Sequence, residues 1–231
     1  MELTEGLARL GKVRAPEGFA ERVLAAADRH AIVQSELGEL LVTFGPGGIA
    51  GVRLATRADR HLRLEELPAR LRRRFDLSRL NPFQQAVLRK TLEIPRGEVR
   101  PYSWVAAEIG QPRAVRAVGT ALATNPIPYF IPCHRVVRSD GVIGNYGLGG
   151  TEYKRRILSA EGADPDGLEK WARQGVRFHG SRTTHVYCFP TCRNARRIGD
   201  ANRVGFASPA DAEAAGYRAC RVCRPRATIA A

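Results

Sequence analysis

Lysine is scarce in this 231-residue chain. Lys12, Lys90, Lys154 and Lys170 are the four present, so nearly all of the formal charge of +14 comes from arginine. Arginine's planar fork suits phosphates and base edges. A bias toward arginine also accompanies high genomic GC content, so the charge fits either a polyanionic partner or a merely solvated surface. Long apolar runs are missing: no stretch of 18 apolar residues occurs, which excludes a helical membrane span. The first residues, MELTEGLARLGKVRAP, are charged throughout and lack the apolar centre of a signal peptide. The expectation is a cytoplasmic protein with reduced thiols. Cysteine is absent before residue 133, and internal repeats and low-complexity tracts are absent throughout. What is present is 44% apolar residues in a length sufficient for more than one compact domain.

Residues 1–30 carry a helical pattern around APEGFAERVLAAADRH. The period then changes. LGELLVTFGPGGIAGVRLAT has short apolar runs on either side of Gly45-Pro46-Gly47-Gly48, which predicts strands joined by a turn. LEELPARLRRRFDLSRL, residues 64–80, predicts a basic, solvated helix. In NPFQQAVLRKTLEIP, Asn81 is an N-cap, Pro82 suits the first helical position and Gln84 completes a capping box. Phe83, Val87, Leu88 and Leu92 form the expected buried side, and Pro95 stops the helix.

SWVAAEIGQPRAVRAVGTALATNP predicts a short helix capped by Ser103, a break at Gly110-Gln111-Pro112, and a second helix. Val115, Val118 and Leu122 fall on one face of the second helix. Arg113, Arg116, Ala117, Thr120 and Thr124 lie on the other. Two helices with a tight turn make a helix-turn-helix pattern. Small residues around a long cation allow close approach to a DNA groove.

Within NPIPYFIPCHRVV, residues 125–137, the lone Cys133 stands beside His134. A thiol becomes a nucleophile only as thiolate, so it needs a base or a positive environment. The pair alone fits either such a nucleophile or a buried structural cysteine beside a surface histidine.

The wider motif set separates these readings. IPCHRVV resembles the active-site motif of the O6-alkylguanine-DNA alkyltransferases. The resemblance spans most of residues 81–162 and includes PRGEVRPYSWVAAEIGQPRAVRAVG, the NP before the motif, GNYG after it, and KRRILSAEG. It implies that Cys133 accepts an alkyl group from guanine, His134 takes the thiol proton through a water, and Glu161 polarises His134. It also implies that Asn125 ties the recognition helix to the active-site turn and that Arg116 fills the gap left by a flipped base. Tyr102 would help rotate the nucleotide and contact the base, and Tyr146 would line the pocket. Arg113, Ala117, Thr120 and Arg135 complete the expected DNA-contacting set. The partner implied is double-stranded DNA carrying alkylation damage, met by a monomer, with no membrane and no organic cofactor. A non-catalytic branch of the family binds lesions without repairing them and lacks the cysteine; here Cys133 is present.

Residues 176–231 hold ten arginines, no lysine, three acids and the other four cysteines. Cys188 and Cys192 are spaced C-x3-C, and Cys220 and Cys223 are spaced C-x2-C. Two such pairs in a reducing compartment have zinc-ligand spacing, with disulfides as the competing reading. One ion among four thiolates would also let a segment with few large apolar residues fold. RTTHVYCFPTC and ASPADAEAAGYRACRVCRP resemble the Ada-type metal-binding domain. That resemblance implies one zinc ion, Cys188 as acceptor of methyl from DNA methylphosphotriesters, and Thr184, Arg196 and Arg218 as backbone contacts. A purely structural zinc site in a lesion-binding or regulatory protein is the alternative.

The expected architecture is an α/β N-terminal cap (1–78), ribonuclease-H-like by resemblance. A mainly α, helix-turn-helix-like alkyltransferase domain (79–163) follows. GADPDGLEKWARQG supplies a linker (164–175), and a small zinc-stabilised α+β domain (176–231) comes last.

Overall fold

The computed structural model describes residues 28–225. The helix expected near residues 15–30 lies outside them, except for its last three residues, and there Arg29 already begins a strand. Strands β1 (Arg29–Ser35), β2 (Gly38–Gly45) and β3 (Gly48–Leu54) form an antiparallel sheet in that order. The register pairs Ala31 with Val42 and Val42 with Val52. Leu40, Val42 and Phe44 are fully buried along β2, as the period of two requires. The turn between β2 and β3 lies where the Gly-Pro-Gly-Gly run predicts it.

The basic helix expected over residues 64–80 does not form. The segment holds one 3-10 turn, Ala69–Leu71, behind Pro68. Its backbone groups are used by the sheet instead: Glu65 N–H donates to His30 O, and Asp76 N–H to Ile49 O. Leu67, Leu71 and Leu77 are buried against the sheet, so tertiary pairing overrides local propensity.

Helix α1 (Pro82–Leu92) has the expected capping box, Asn81 Oδ1 accepting from Gln84 N at 2.9 Å and Gln84 Oε1 from Asn81 N at 3.2 Å. It buries Val87, Leu88 and Thr91; Leu92, expected inside, is exposed. Strand β4 (Arg100–Pro101) leads into α2 (Tyr102–Glu108), whose N-cap is Pro101 rather than Ser103; Ser103 is buried inside the first turn. Gly110, at φ +76°, ends this helix region in the left-handed conformation glycine tolerates. Helix α3 (Val115–Ala123) buries Val118, Ala121 and Leu122 and leaves Arg116, Ala117 and Thr120 exposed. Strand β5 (Val136–Val137) pairs in parallel with β4. Helix α4 (Gly150–Ala160) follows.

The expected linker is largely a helix, α5 (Pro165–Arg173), capped by Asp164 Oδ1 accepting from Gly167 N. Its Leu168 is buried, and Trp171 meets His179 edge-on at 4.5 Å between ring centroids. The last unit has β6 (Phe178–Ser181), β7 (Val186–Cys188), β8 (Arg203–Phe206) and β9 (Arg218–Ala219) in the order β8-β6-β7-β9, with α6 (Pro209–Ala214) beside them. One contiguous apolar core runs from the first sheet, through α1–α3, to the four cysteines. No helix among the described residues is long and apolar enough to cross a membrane.

Candidate active site and metal centre

Cys133 opens a 3-10 turn, Cys133–Arg135, between Pro132 and β5. Its side chain is buried, and Sγ accepts a hydrogen bond from Asn125 Nδ2 at 3.2 Å. Asn125 stands just past Thr124, the C-cap of α3. It also donates to Ile131 O at 3.2 Å and accepts from Ile127 N at 3.0 Å, so the exit of α3 and the cysteine turn are tied by one amide. Burial pushes the Cys133 thiol above its usual range, and the Asn125 hydrogen bond and the Lys154 charge pull it partly back.

His134 is 1% exposed, with Nε2 3.1 Å from Glu161 Oε1. Glu161 caps the end of α4. Burial works against its charge, but hydrogen bonds from His134 and Arg135 hold its carboxyl down at about 2. An ionised carboxylate only accepts, so Nε2 of His134 carries the proton and Nδ1 carries the lone pair. Nδ1 is buried without a protein partner. Burial lowers the pKa of His134, so the imidazole is neutral at pH 7.

Arg135 stands elsewhere than the sequence predicts. Its guanidinium donates to Glu161 Oε2 at 2.9 Å, to Glu161 Oε1 at 2.7 Å and to Ile94 O at 2.7 Å. Those bonds hold its guanidinium against Glu161 and Ile94.

A cavity of about 330 Å³ opens onto Cys133, lined by Tyr102, Gly119, Leu122, Asn145, Tyr146 and Gly147 among others. Tyr102 and Tyr146 thus line the same cavity as Cys133. Tyr146 meets His134 edge-on at 5.9 Å, and its hydroxyl is buried without a partner. Burial raises the pKa of Tyr102, and the nearby Cys133 raises it further. Arg113, Arg116, Ala117 and Thr120 share the exposed side of the helix-turn-helix, and neither arginine makes an ion pair among the described residues.

Lys154 was not foreseen. It is buried, donates from Nζ to Val136 O at 2.6 Å and lies 6.0 Å from the centroid of the Tyr102 ring. Burial pulls its pKa down to about 8, so it is mostly charged at pH 7. The available signal was its identity as one of four lysines, placed at helical spacing from Ile157 and Leu158.

The four remaining cysteines converge. Their sulfurs all lie within 4.8 Å of one another, and all four side chains are buried. Tetrahedral thiolates around zinc sit about 3.8 Å apart, given Zn–S bonds of about 2.3 Å. All five cysteines of the chain are free, so the disulfide reading fails. Hydrogen bonding among the sulfurs pushes the Cys188 thiol up, with burial adding to the rise, and holds the Cys192 thiol down against burial, a conflict that a shared divalent cation relieves. Asn194 Nδ2 donates to Cys220 Sγ at 3.4 Å. The donor set and its spacing fit zinc.

A second cavity, about 390 Å³, is lined by Thr184, Cys188, Asn194, Arg197, Asn202 and Arg218 among others. Cys188 is the one metal-ligand candidate that reaches it. Thr184 and Arg218 line this cavity, whereas Arg196 does not. Its guanidinium donates to Thr191 O at 3.0 Å and to Gly97 O, facing the preceding domain. Arg197 occupies the groove instead.

Residues 82–163 match the family of the 6-O-methylguanine DNA methyltransferase, DNA binding domain, and residues 171–226 match the metal binding domain of Ada. A methylated-DNA–protein-cysteine methyltransferase of Rattus norvegicus is 51% identical over 81 residues, 35% of this chain and 39% of the rat protein. The constitutive enzyme of that name from Bacillus subtilis is 40% identical over 107 residues, 45% of this chain and 65% of the relative. The matches thus span less than two thirds of these relatives. The crystal structure of Mycobacterium tuberculosis OGT in complex with DNA superposes with a TM-score of 0.50 and 30% identity, covering 61% of this chain and 98% of that one. The chain belongs to the 6-O-methylguanine DNA methyltransferase family, with an Ada-type metal-binding domain following its DNA-binding domain.

Proposed function

We propose that this protein repairs alkylated DNA by direct reversal, moving the alkyl group of O6-alkylguanine onto Cys133. The observation that carries the reading is the constellation Asn125–Cys133 and His134–Glu161–Arg135 beneath a cavity faced by Tyr102. The exocyclic oxygen of a stacked guanine is beyond a side chain's reach, so the nucleotide must leave the duplex. Arg116, long and surrounded by small exposed residues, suits the space it vacates.

In the cavity, the neutral His134 takes the thiol proton at Nδ1, through a water. Glu161 then faces an imidazolium, and Arg135 keeps that carboxylate ionised. The Lys154 charge favours the thiolate. Sulfur attacks the alkyl carbon as the C–O6 bond breaks, and the departing guanine takes a proton at the purine ring. The Tyr102 hydroxyl would supply it, with the proton held by His134 returning to the tyrosine. The thiol proton ends on guanine, and a thioether ends on Cys133. Nothing in the cavity reverses a thioether, so one molecule repairs one lesion.

Cys188 supports a second acceptor role, for the methyl group of a DNA methylphosphotriester, because it alone among the four ligands faces the groove of Thr184, Arg197 and Arg218. Zinc bound by Cys188, Cys192, Cys220 and Cys223 would hold the sulfurs as thiolates and so keep Cys188 nucleophilic. Each chain carries both sites on its own residues, which suits a monomer acting on duplex DNA in a reducing cytoplasm.

The test is intact-mass and peptide mapping after incubation with duplex DNA carrying O6-methylguanine or a methylphosphotriester. One methyl group per chain on Cys133, lost in Cys133→Ala, is expected from the first substrate. Retention of the DNA with no gain in mass would instead make the protein a lesion binder.

A further inference from the structure

The metal-binding domain does not merely follow the guanine site; it grips one continuous segment of it. Five hydrogen bonds converge on residues 97–104, one of them from Thr191 Oγ1 back to Val99 O at 3.4 Å. Val99 N donates to Thr191 Oγ1 at 2.8 Å, and Arg193 N donates to Glu98 Oε1 at 3.0 Å. Arg196 donates to Gly97 O, and Trp104 Nε1 donates to Cys223 O at 3.0 Å. Arg224 adds an ion pair with Glu108 at 2.8 Å, at the far end of α2.

The donors and acceptors on the metal side are the immediate neighbours of the ligands. Thr191 and Arg193 flank Cys192, Arg196 is four residues on, and Cys223 is itself a ligand. Between the two domains lies a buried pair, Arg100 with Glu98, both side chains nearly inaccessible. The Arg100 guanidinium stacks between Trp104 and Phe189, 5.7 and 5.3 Å from their ring centroids. Phe189 is the residue after Cys188.

The gripped segment reaches the chemistry by three routes. Its Tyr102 faces the Cys133 cavity. Its β4 pairs with β5, the strand that leaves the Cys133 turn, matching Arg100 with Val136. Its Gly97, at φ +74°, lies so close to Glu161 that a Cβ there would stand 2.7 Å from Glu161 O and 3.1 Å from Arg196 Nη2.

We infer that the four-cysteine domain braces the guanine site, with Thr191, Arg193, Arg196 and Trp104 as positioning residues that make the placement of Tyr102 and β4 depend on metal loading. The loops 188–196 and 220–224 are short, contain little regular structure and owe their mutual placement to the four sulfurs. Without the metal, the atoms that meet residues 97–104 lose their fixed positions. By linkage, whatever stabilises the gripped segment also slows metal loss. This inference rests on the proposed role of Cys133, but it has a readout that does not.

The experiment uses the full chain, zinc-loaded or stripped by a strong chelator under reducing conditions. Transfer from O6-methylguanine in duplex DNA should slow about tenfold or more on stripping and recover on zinc addition. An unchanged rate in protein verified to be zinc-free overturns the brace. Thr191→Val should release zinc faster than wild type and transfer more slowly, whereas wild-type zinc release in that variant counts against the inference. The chain has two tryptophans, so in Trp171→Phe protein Trp104 is the single indole. Its emission should shift to longer wavelength on stripping and return with zinc; a constant spectrum overturns the brace. If loaded protein transfers nothing, the reading of Cys133 falls, and the emission of Trp104 still decides the brace.

Discussion

Arg135 and Glu161 meet through two hydrogen bonds, Nε to Oε2 at 2.9 Å and Nη2 to Oε1 at 2.7 Å, on the same carboxylate that receives His134. In the proposed reaction the arginine therefore acts, through Glu161, on the base His134. Removing it leaves a mostly buried carboxylate with one partner fewer. A hydrogen bond to a charged group is worth about 1.5–3 kcal/mol, so Arg135→Ala should slow transfer to Cys133 roughly ten- to a hundredfold. Affinity for undamaged duplex, and its dependence on salt, should stay near wild type. A large loss of affinity with a shallower salt slope would return Arg135 to the DNA-contacting set.

The pH dependence separates His134 from Lys154. Burial lowers the pKa of His134, so its lone pair survives below the ordinary histidine range and the acid fall in rate begins below pH 6.5. Lys154 is charged below its pKa of about 8 and neutral well above it. Its charge favours the Cys133 thiolate only in the lower window. Lys154→Met should slow single-turnover transfer at pH 7 by up to about tenfold, the equivalent of one unit in the thiol pKa. The two proteins should converge above about pH 9, where the lysine is already neutral. Curves that run parallel through pH 7–10 would show that Lys154 contributes only its hydrogen bonds to Val136 and Asn145.

Arg116 distinguishes base extrusion from chemistry. It is exposed on α3, and in the proposed mechanism it takes no part in the proton relay at His134. Arg116→Ala should slow repair of O6-methylguanine in duplex DNA by about a hundredfold, the scale of a lost stacking replacement of a few kcal/mol. Dealkylation of the free alkylated guanine base should change little. Equal losses on both substrates, measured as second-order rate constants, would remove Arg116 from the extrusion step.

What was legible in the sequence was what chemistry or local geometry dictates. The capping box at Asn81 and Gln84, the break at Gly110 and the four-cysteine spacing each depend on a few neighbouring residues, and each stands as expected. The Cys133–His134–Glu161 set was legible through its motifs, although the residues lie 28 positions apart. The misreadings share one cause. Residues 64–80 have helical composition, but the first sheet takes their backbone hydrogen bonds. Residues 165–173 are polar enough for a linker, yet Leu168 and Trp171 find partners in the flanking domains. Arg135 and Arg196 look like DNA contacts by charge and position, and both turn inward to acceptors distant in sequence. Long-range pairing of a cation with a carbonyl or carboxylate leaves no local pattern to read. The same holds for the grip on residues 97–104, whose partners are some ninety to 120 positions away.

Arg196 and Arg197 are adjacent in sequence and opposite in placement, which gives a paired test of the second acceptor. Arg197 lines the groove with Thr184, Arg218 and Cys188. Arg196 donates to Thr191 O and Gly97 O on the other side. A methylphosphotriester is neutral at the modified phosphate but is flanked by charged ones, so a groove arginine should hold the neighbouring phosphates while Cys188 meets the methyl carbon. Arg197→Met should therefore reduce labelling of Cys188 by methylphosphotriester DNA about tenfold, the loss of one charge-assisted contact, with zinc content unchanged. Arg196→Met should leave the groove intact and instead slow transfer to Cys133. The measurement is peptide mapping of Cys188 in a Cys133→Ala background, beside the O6-methylguanine rate in the parent. Zinc-loaded protein in which Cys188 is never methylated, with either arginine present, would make the metal site structural. A loss of Cys188 labelling in Arg196→Met equal to that in Arg197→Met would mean that the two arginines act through the fold of the loop and not through the groove.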